Sequence, residues 1–242
     1  MHHSLSICAL AASIVCACSL APAPSTGDEP EVRTVSRLPW NDSTRCFHMY
    51  YDSLPEFLPH ARFADANMAA RQFRSAAIGS KDHCCRDNES AGIDCQQEGY
   101  WRETTWLRYE LMQCDADVVS VLLVASKSWG GSGVGRKFMT INVSGSTGWT
   151  LAPPETVRNV SMGHLAKEMK RVFIEGKACL FGDDSWSQDI DQLSEWYRKA
   201  LERKGAFVVK DGEWHWVING HPDHCNAGQR TWAIPTGVRF AP

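Results

Sequence analysis

The run Val118-Val119-Ser120-Val121-Leu122-Leu123-Val124 constrains the fold more than any other stretch of the chain. It is apolar and rich in β-branched residues, and it lacks the alternation of a strand with one wet face. Such a run predicts a strand covered on both faces. Just upstream, Leu107, Tyr109 and Leu111 alternate with Trp106, Arg108, Glu110 and Met112, the period of a strand that turns one side to a core. Asp115-Ala116-Asp117 is a short polar break, so the two runs pair most simply as a hairpin. A glycine-rich turn, Gly130 to Gly135, leads to a third strand, Lys137 to Val143. Ser144 to Gly148 then turns the chain into a short fourth strand, Trp149 to Leu151. The segment Trp101 to Leu151 therefore reads as an antiparallel meander.

Around it, Cys46 to Tyr51 predicts a first strand, after which Pro55 and Pro59 interrupt regular structure. A helix from Asp65 to Ile78 places Met68, Ala69, Phe73 and Ala76 on one face, with Gly79 as its stop. Lys81 to Gly99 is polar and cysteine-bearing, the pattern of a disulfide-pinned loop. Pro153-Pro154-Glu155 opens a helix carrying Leu165, Met169, Val172 and Phe173 at helical spacing. A second helix runs from Asp184 to Lys204. Ala206 to Val209 and Glu213 to Ile218 flank Lys210-Asp211-Gly212, a strong hairpin signal. Arg230 to Ile234 supplies a last strand. The fold class is α+β: an antiparallel meander and a C-terminal hairpin packed from one side by two helices, in a single domain over 40–242 whose weakest pattern lies in 46–100.

The first eighteen residues carry no charged side chain, and Leu5 to Val15 is apolar but too short to cross a bilayer. Residues 1–18 read as a secretion signal. Val15-Cys16-Ala17-Cys18 resembles a bacterial lipobox, which makes Cys18 the lipidated first mature residue; ordinary cleavage near Ala17 or Ala21 is the alternative. Residues 19–39, rich in Pro, Ser, Thr and acidic groups, read as a flexible tether. The expected location is the bacterial periplasm or outer membrane, with a lipid holding the chain to the membrane. In that oxidising compartment Cys46, Cys84, Cys85, Cys95, Cys114, Cys179 and Cys225 are disulfide candidates. Their number is odd, so at least one stays free or pairs outside the chain.

A net charge of −3 with scattered basic residues gives no support for nucleic-acid binding. His215, His221, Asp223, His224 and Cys225 are residue types that zinc selects, so a metal-dependent hydrolase using His221 and His224 is one reading. Their spacing matches no common zinc signature, and a polar surface loop is the plainer reading, with His215 turned to the face opposite Val217. His83 beside Cys84-Cys85 lacks an assignable third partner. The Gly130 to Gly135 turn lacks the ending of a phosphate loop, and Ser132 lacks the context of a hydrolase elbow. No metal and no cofactor is expected. Ten tryptophans are many, and Trp129, Trp149, Trp214 and Trp216 are candidates for an exposed aromatic platform as well as for core filling. Asn41, Asn88, Asn142 and Asn159 each begin an Asn-x-Ser sequon.

One resemblance draws these elements together. A strand pair containing Val118-Val119-Ser120-Val121, a Gly-Gly turn, a strand into Gly148-Trp149-Thr150-Leu151, two helices, an Asp211-Gly212 hairpin and a segment from Gly228 to Ile234-Pro235 resemble the extracellular β-grasp-like domain of RsiV-type proteins. That group includes a lysozyme-sensing anti-sigma factor, the non-catalytic domain of some peptidoglycan deacetylases and a secreted mycobacterial antigen. The sequence shows neither a cytoplasmic region ahead of a membrane span nor a deacetylase domain. The resemblance implies an exported, non-enzymatic envelope protein that engages a lysozyme-like muramidase or peptidoglycan. A structural envelope lipoprotein without a small ligand is the remaining expectation.

Overall fold

The computed structural model describes residues 29–42, 48–78, 103–129, 132–175, 199–200, 202, 205–219 and 230–242. They form an α+β structure of two sheets. The larger is five-stranded, in sequence order: β1 (Glu31–Asp42), β2 (His48–Leu58), β3 (Glu103–Cys114), β4 (Val119–Trp129) and β5 (Ser132–Val143). All its neighbours are antiparallel except β2 and β3, which run parallel over Met49 to Asp52. The smaller sheet holds β6 (Phe207–Lys210), β7 (Glu213–Asn219) and β8 (Thr231–Arg239). The helices are α1 (Ala64–Ile78), the single turn α2 (Glu155–Arg158) and α3 (Met162–Glu175).

β4 explains the layering. From Val118 to Val124 every residue is fully buried, as its unbroken apolar character requires. Val119, Val121 and Leu123 face a core shared with Phe57 and Phe63 and with Ala66 and Ala70 of α1. Leu122 and Val124 face the other way, against Val208 of β6 and Val217 of β7. Each fully buried Leu or Val removes apolar surface worth roughly 1.5–3 kcal/mol. Beyond the small sheet, Leu165, Met169 and Phe173 of α3 pack on Trp214, Trp216 and Ile218. The order of layers is α1, large sheet, small sheet, α3.

The two sheets are fastened by a buried polar relay. Ser120 Oγ donates to Asn142 Oδ1 at 2.7 Å, Asn142 Nδ2 donates to the Phe207 carbonyl at 2.8 Å, and the Val209 N–H donates to Ser120 Oγ at 2.9 Å. These groups of β6 lie on the strand edge away from β7, so two side chains stand in for a missing neighbour strand. Asn142 is 7% exposed and occupied in this way, so its sequon is not a surface acceptor. The β6–β7 turn has φ 52° at Asp211 and 71° at Gly212, the positive pair that an Asp-Gly hairpin turn needs.

Several expectations are corrected. The tether was expected to reach 39, but the chain is strand from Glu31, laddered to β2 from Glu31↔Leu58 onward. Thr34, Val35 and Ser36 are exposed on this edge strand, so backbone pairing rather than apolar periodicity holds it. Pro55 does not end β2. Asn67 pairs with both backbone groups of Phe57, accepting from its N–H and donating to its carbonyl at 2.9 Å each. Those groups point away from β1, and Pro55, two residues earlier, turns its missing N–H the same way. In α1 the buried positions are Ala66, Asn67, Ala70 and Ala77, while Met68 and Ala76 are exposed; small side chains let the helix sit close to the sheet.

In β3 a bulge between Leu111 and Gln113 inserts one residue against β4. It exchanges the two faces beyond Met112: Gln113 turns to the small sheet, where its Oε1 accepts from the Gly212 N–H, and Cys114 turns to the α1 core, while Leu111, on the near side of the bulge, is 47% exposed. The expected turn over Gly130 to Gly135 is shorter, because β5 already begins at Ser132. Trp149 to Leu151 is not a strand; it contributes one bridge, Val143↔Thr150. The helix expected from Pro154 is two, α2 and α3. α1 and α3 form opposite outer layers; the second helix expected on the side of α3 is the one over 184–204. Of the helix expected over 184–204, Lys199, Ala200 and Glu202 are described and helical; the rest lies outside the described residues.

Candidate functional site

The four tryptophans expected to form a platform do not gather on one surface. Trp214 and Trp216 are each 2% exposed, pressed between β7 and α3. Packing on both faces of β7 removes the outside that an aromatic display needs. Trp129 ends β4, and its side chain lies outside the described residues. Trp149, by contrast, is 78% exposed. Its loop is pinned: Arg62 Nη1 donates to the Gly145 carbonyl at 3.0 Å, Gly148 N–H to the Ser144 carbonyl at 2.8 Å, and Leu151 N–H to the Asn142 carbonyl at 2.8 Å. Gly148 has φ +74°, and a Cβ there would lie 2.0 Å from the Arg62 carbonyl oxygen. Only glycine permits so close an approach.

The expected zinc ligands are not brought together among the described residues. His221, Asp223, His224 and Cys225 lie outside them, as do His83, Cys84, Cys85, Cys95, Cys46, Cys179 and Cys18. Described His, Cys, Asp and Glu form no group of three suited to a metal ion. His215 is described and buried. It shares the inward face of β7 with Val217, two residues on, rather than opposing it. Burial, followed by the charge of Lys210, lowers its pKa against the opposing pull of Glu213, and Nδ1 has no hydrogen-bond partner. Cys114 is the one cysteine among the described residues, and its thiol is free, donating to the Pro30 carbonyl at 3.3 Å. The disulfide expected of it is therefore not formed. Burial, then the neighbouring Asp115 charge, pushes the thiol pKa up.

The exposed aromatic surface lies elsewhere. Tyr51 of β2 and Trp106 of β3 are direct neighbours in the parallel register. Their rings stack with centroids 6.2 Å apart and planes 12° from parallel, and each residue is 38% exposed. Thr105 and Leu107 turn toward α1, so Trp106 stands on the opposite face, the one that also carries the small sheet. Arg108 is next along that face. The signal was available in the alternation of β3, where Trp106 falls among charged positions.

Two further features lie away from this surface. A cavity of about 330 Å³ opens between the start of α1, β5 and residues 150–153, lined by Ala66, Ala69, Ile141 and Leu151 among others. On the α1 face, Asp52 is ion-paired with Arg74, yet Asp52 Oδ1 and the Thr105 hydroxyl are buried without partners. No described helix is long and apolar enough to cross a membrane.

No protein-family model matches the chain, and no characterised protein matches it in sequence. Among solved structures it is similar to a DUF3298 family protein from Pseudomonas aeruginosa, at 11% identity and a TM-score of 0.46, over 86% of this chain and 90% of that one. It is also similar to a member of the DUF3298 family from Bacteroides fragilis, at 9% identity and a TM-score of 0.39, over 86% of this chain and 90% of that one.

Proposed function

We propose that the chain is a non-enzymatic binding module of the bacterial envelope, exported, lipid-anchored through Cys18 and related to RsiV-type domains, that engages cell-wall glycan. The observation that carries this reading is the stacked, solvent-facing pair Tyr51 and Trp106. Leaving more than a third of each of two large aromatic residues exposed on the sheet forgoes burial energy that a core position would have captured. The two rings are nearly parallel, stacked and part-exposed on neighbouring strands, and aromatic surface of this kind is what the apolar face of a pyranose ring stacks on. Co-sedimentation with insoluble peptidoglycan tests it: the wild-type protein pellets with the polymer, and Trp106→Ala stays in the supernatant at an unchanged melting temperature. Wild-type protein left in the supernatant overturns the reading. Mass spectrometry of the mature N-terminus tests the anchor, with acylated Cys18 as the expected result.

Trp149 favours a second reading, contact with a protein such as a muramidase. A tryptophan held out by a pinned loop has little conformational freedom to lose on docking. Capture of lysozyme by the wild type and its loss in Trp149→Ala would support this mode.

A further inference from the structure

The stacked rings are one end of a longer row. Tyr51 is paired with Trp106, Trp106 with Ser126 and Ser126 with Arg136, so the row crosses four neighbouring strands from rings to a guanidinium. Arg136 Nε donates to Ser126 Oγ at 3.4 Å, and its carbonyl accepts from Asn219 Nδ2 at 3.4 Å. The end of β7 thus borders the row. Arg108 begins the next row on the same face, followed by Val124 and Phe138, which pass beneath the small sheet. Burial, and then the charge of Arg108, lowers the Arg136 pKa to about 10. Two guanidiniums within range of each other repel, and an anion set between them relieves that repulsion.

We propose that this row is a binding site for an acidic glycan, in which Tyr51 and Trp106 carry a sugar ring and Arg108 and Arg136 take the carboxylate of the adjoining residue. The inference rests on the glycan reading above and adds the chemical class. Neighbouring strands lie about 4.8 Å apart, so Trp106 and Arg136, two strands removed, stand about 10 Å apart, the reach of a disaccharide. Arginine suits the role because its planar fork matches a carboxylate in two parallel hydrogen bonds. A neutral glycan would use the rings and leave the arginines without a counter-charge from the ligand.

Calorimetric titration of the full chain with two tetrasaccharides tests the class. One alternates N-acetylglucosamine with N-acetylmuramic acid that bears no stem peptide, so that its lactyl carboxylates are free; the other is chitotetraose, which is neutral on a like backbone. The acidic tetrasaccharide is expected to bind at least tenfold more tightly, and the gap is expected to close at high salt and in Arg108→Gln. Trp106→Ala is expected to weaken both tenfold or more. Equal binding of the two by the wild type, or an undiminished gap in Arg108→Gln, overturns the acidic class and leaves the glycan-binding module standing. Binding of neither by folded protein overturns both. Arg108 is exposed, so its replacement leaves the fold intact and decides the matter even if Arg136→Gln does not fold.

Discussion

Ser120 and Asn142 sit opposite each other on β4 and β5, joined by a 2.7 Å hydrogen bond from which both reach out to the backbone of β6. Removing either side chain strands a buried N–H or carbonyl of β6. Ser120→Ala and Asn142→Ala are each expected to destabilise the protein by about 2–3 kcal/mol. In a double-mutant cycle the second change is expected to cost less than the first. Urea unfolding measures both; additive losses would show the relay to be two independent bonds.

Gly148 is a second test of tight backbone contact. Its positive φ and the nearby Arg62 carbonyl leave no room for a methyl group, and Gly148→Ala is expected to cost about 3 kcal/mol. Thermal unfolding reads the loss. A stability equal to wild type would mean that the Trp149 loop is not pinned as described.

His215 makes stability depend on pH. Burial favours its neutral form, so its folded pKa lies below the unfolded value. The unfolded chain then binds the proton more readily, and stability falls as pH drops through the unfolded pKa toward the folded one. Melting temperatures between pH 7.5 and 5.5 are expected to decline in the wild type and to flatten in His215→Phe. An unchanged slope in the variant assigns the acid sensitivity to another group.

In the proposed exported chain, where seven cysteines follow Cys18, Cys114 is the odd one. With its thiol given to the Pro30 carbonyl, Cys46, Cys84, Cys85, Cys95, Cys179 and Cys225 remain as an even set. Thiol titration of the unreduced mature protein is expected to give a single equivalent after denaturation, absent in Cys114→Ser. Labelling in the native state is expected to be slow, because burial holds the thiol protonated. Further equivalents would leave the remaining cysteines incompletely paired.

Those elements were legible whose burial is written in their own residues. The run from Val118 to Val124 announced a doubly covered strand, Asp211-Gly212 its hairpin turn, and Leu165, Met169 and Phe173 the inner side of α3. β1 escaped notice because an edge strand with exposed Thr34, Val35 and Ser36 carries little apolar rhythm. The bulge at Met112 was invisible for another reason: one inserted residue exchanges the two faces without altering composition. Of the four tryptophans expected on an exposed platform, Trp214 and Trp216 are covered and Trp149 is exposed. Trp214 and Trp216 alternate as Trp106 does with its neighbours, and only the arrival of α3 decides that they are covered while Trp106 stays in water.

β4 lends one face to the core against α1 and the other to the core beneath the small sheet, so the two halves of the molecule meet on a single strand. The two halves are therefore expected to share one melting point. Heat or denaturant should take them apart in one cooperative step, and any lesion in this shared wall should be felt at both ends of the protein at once.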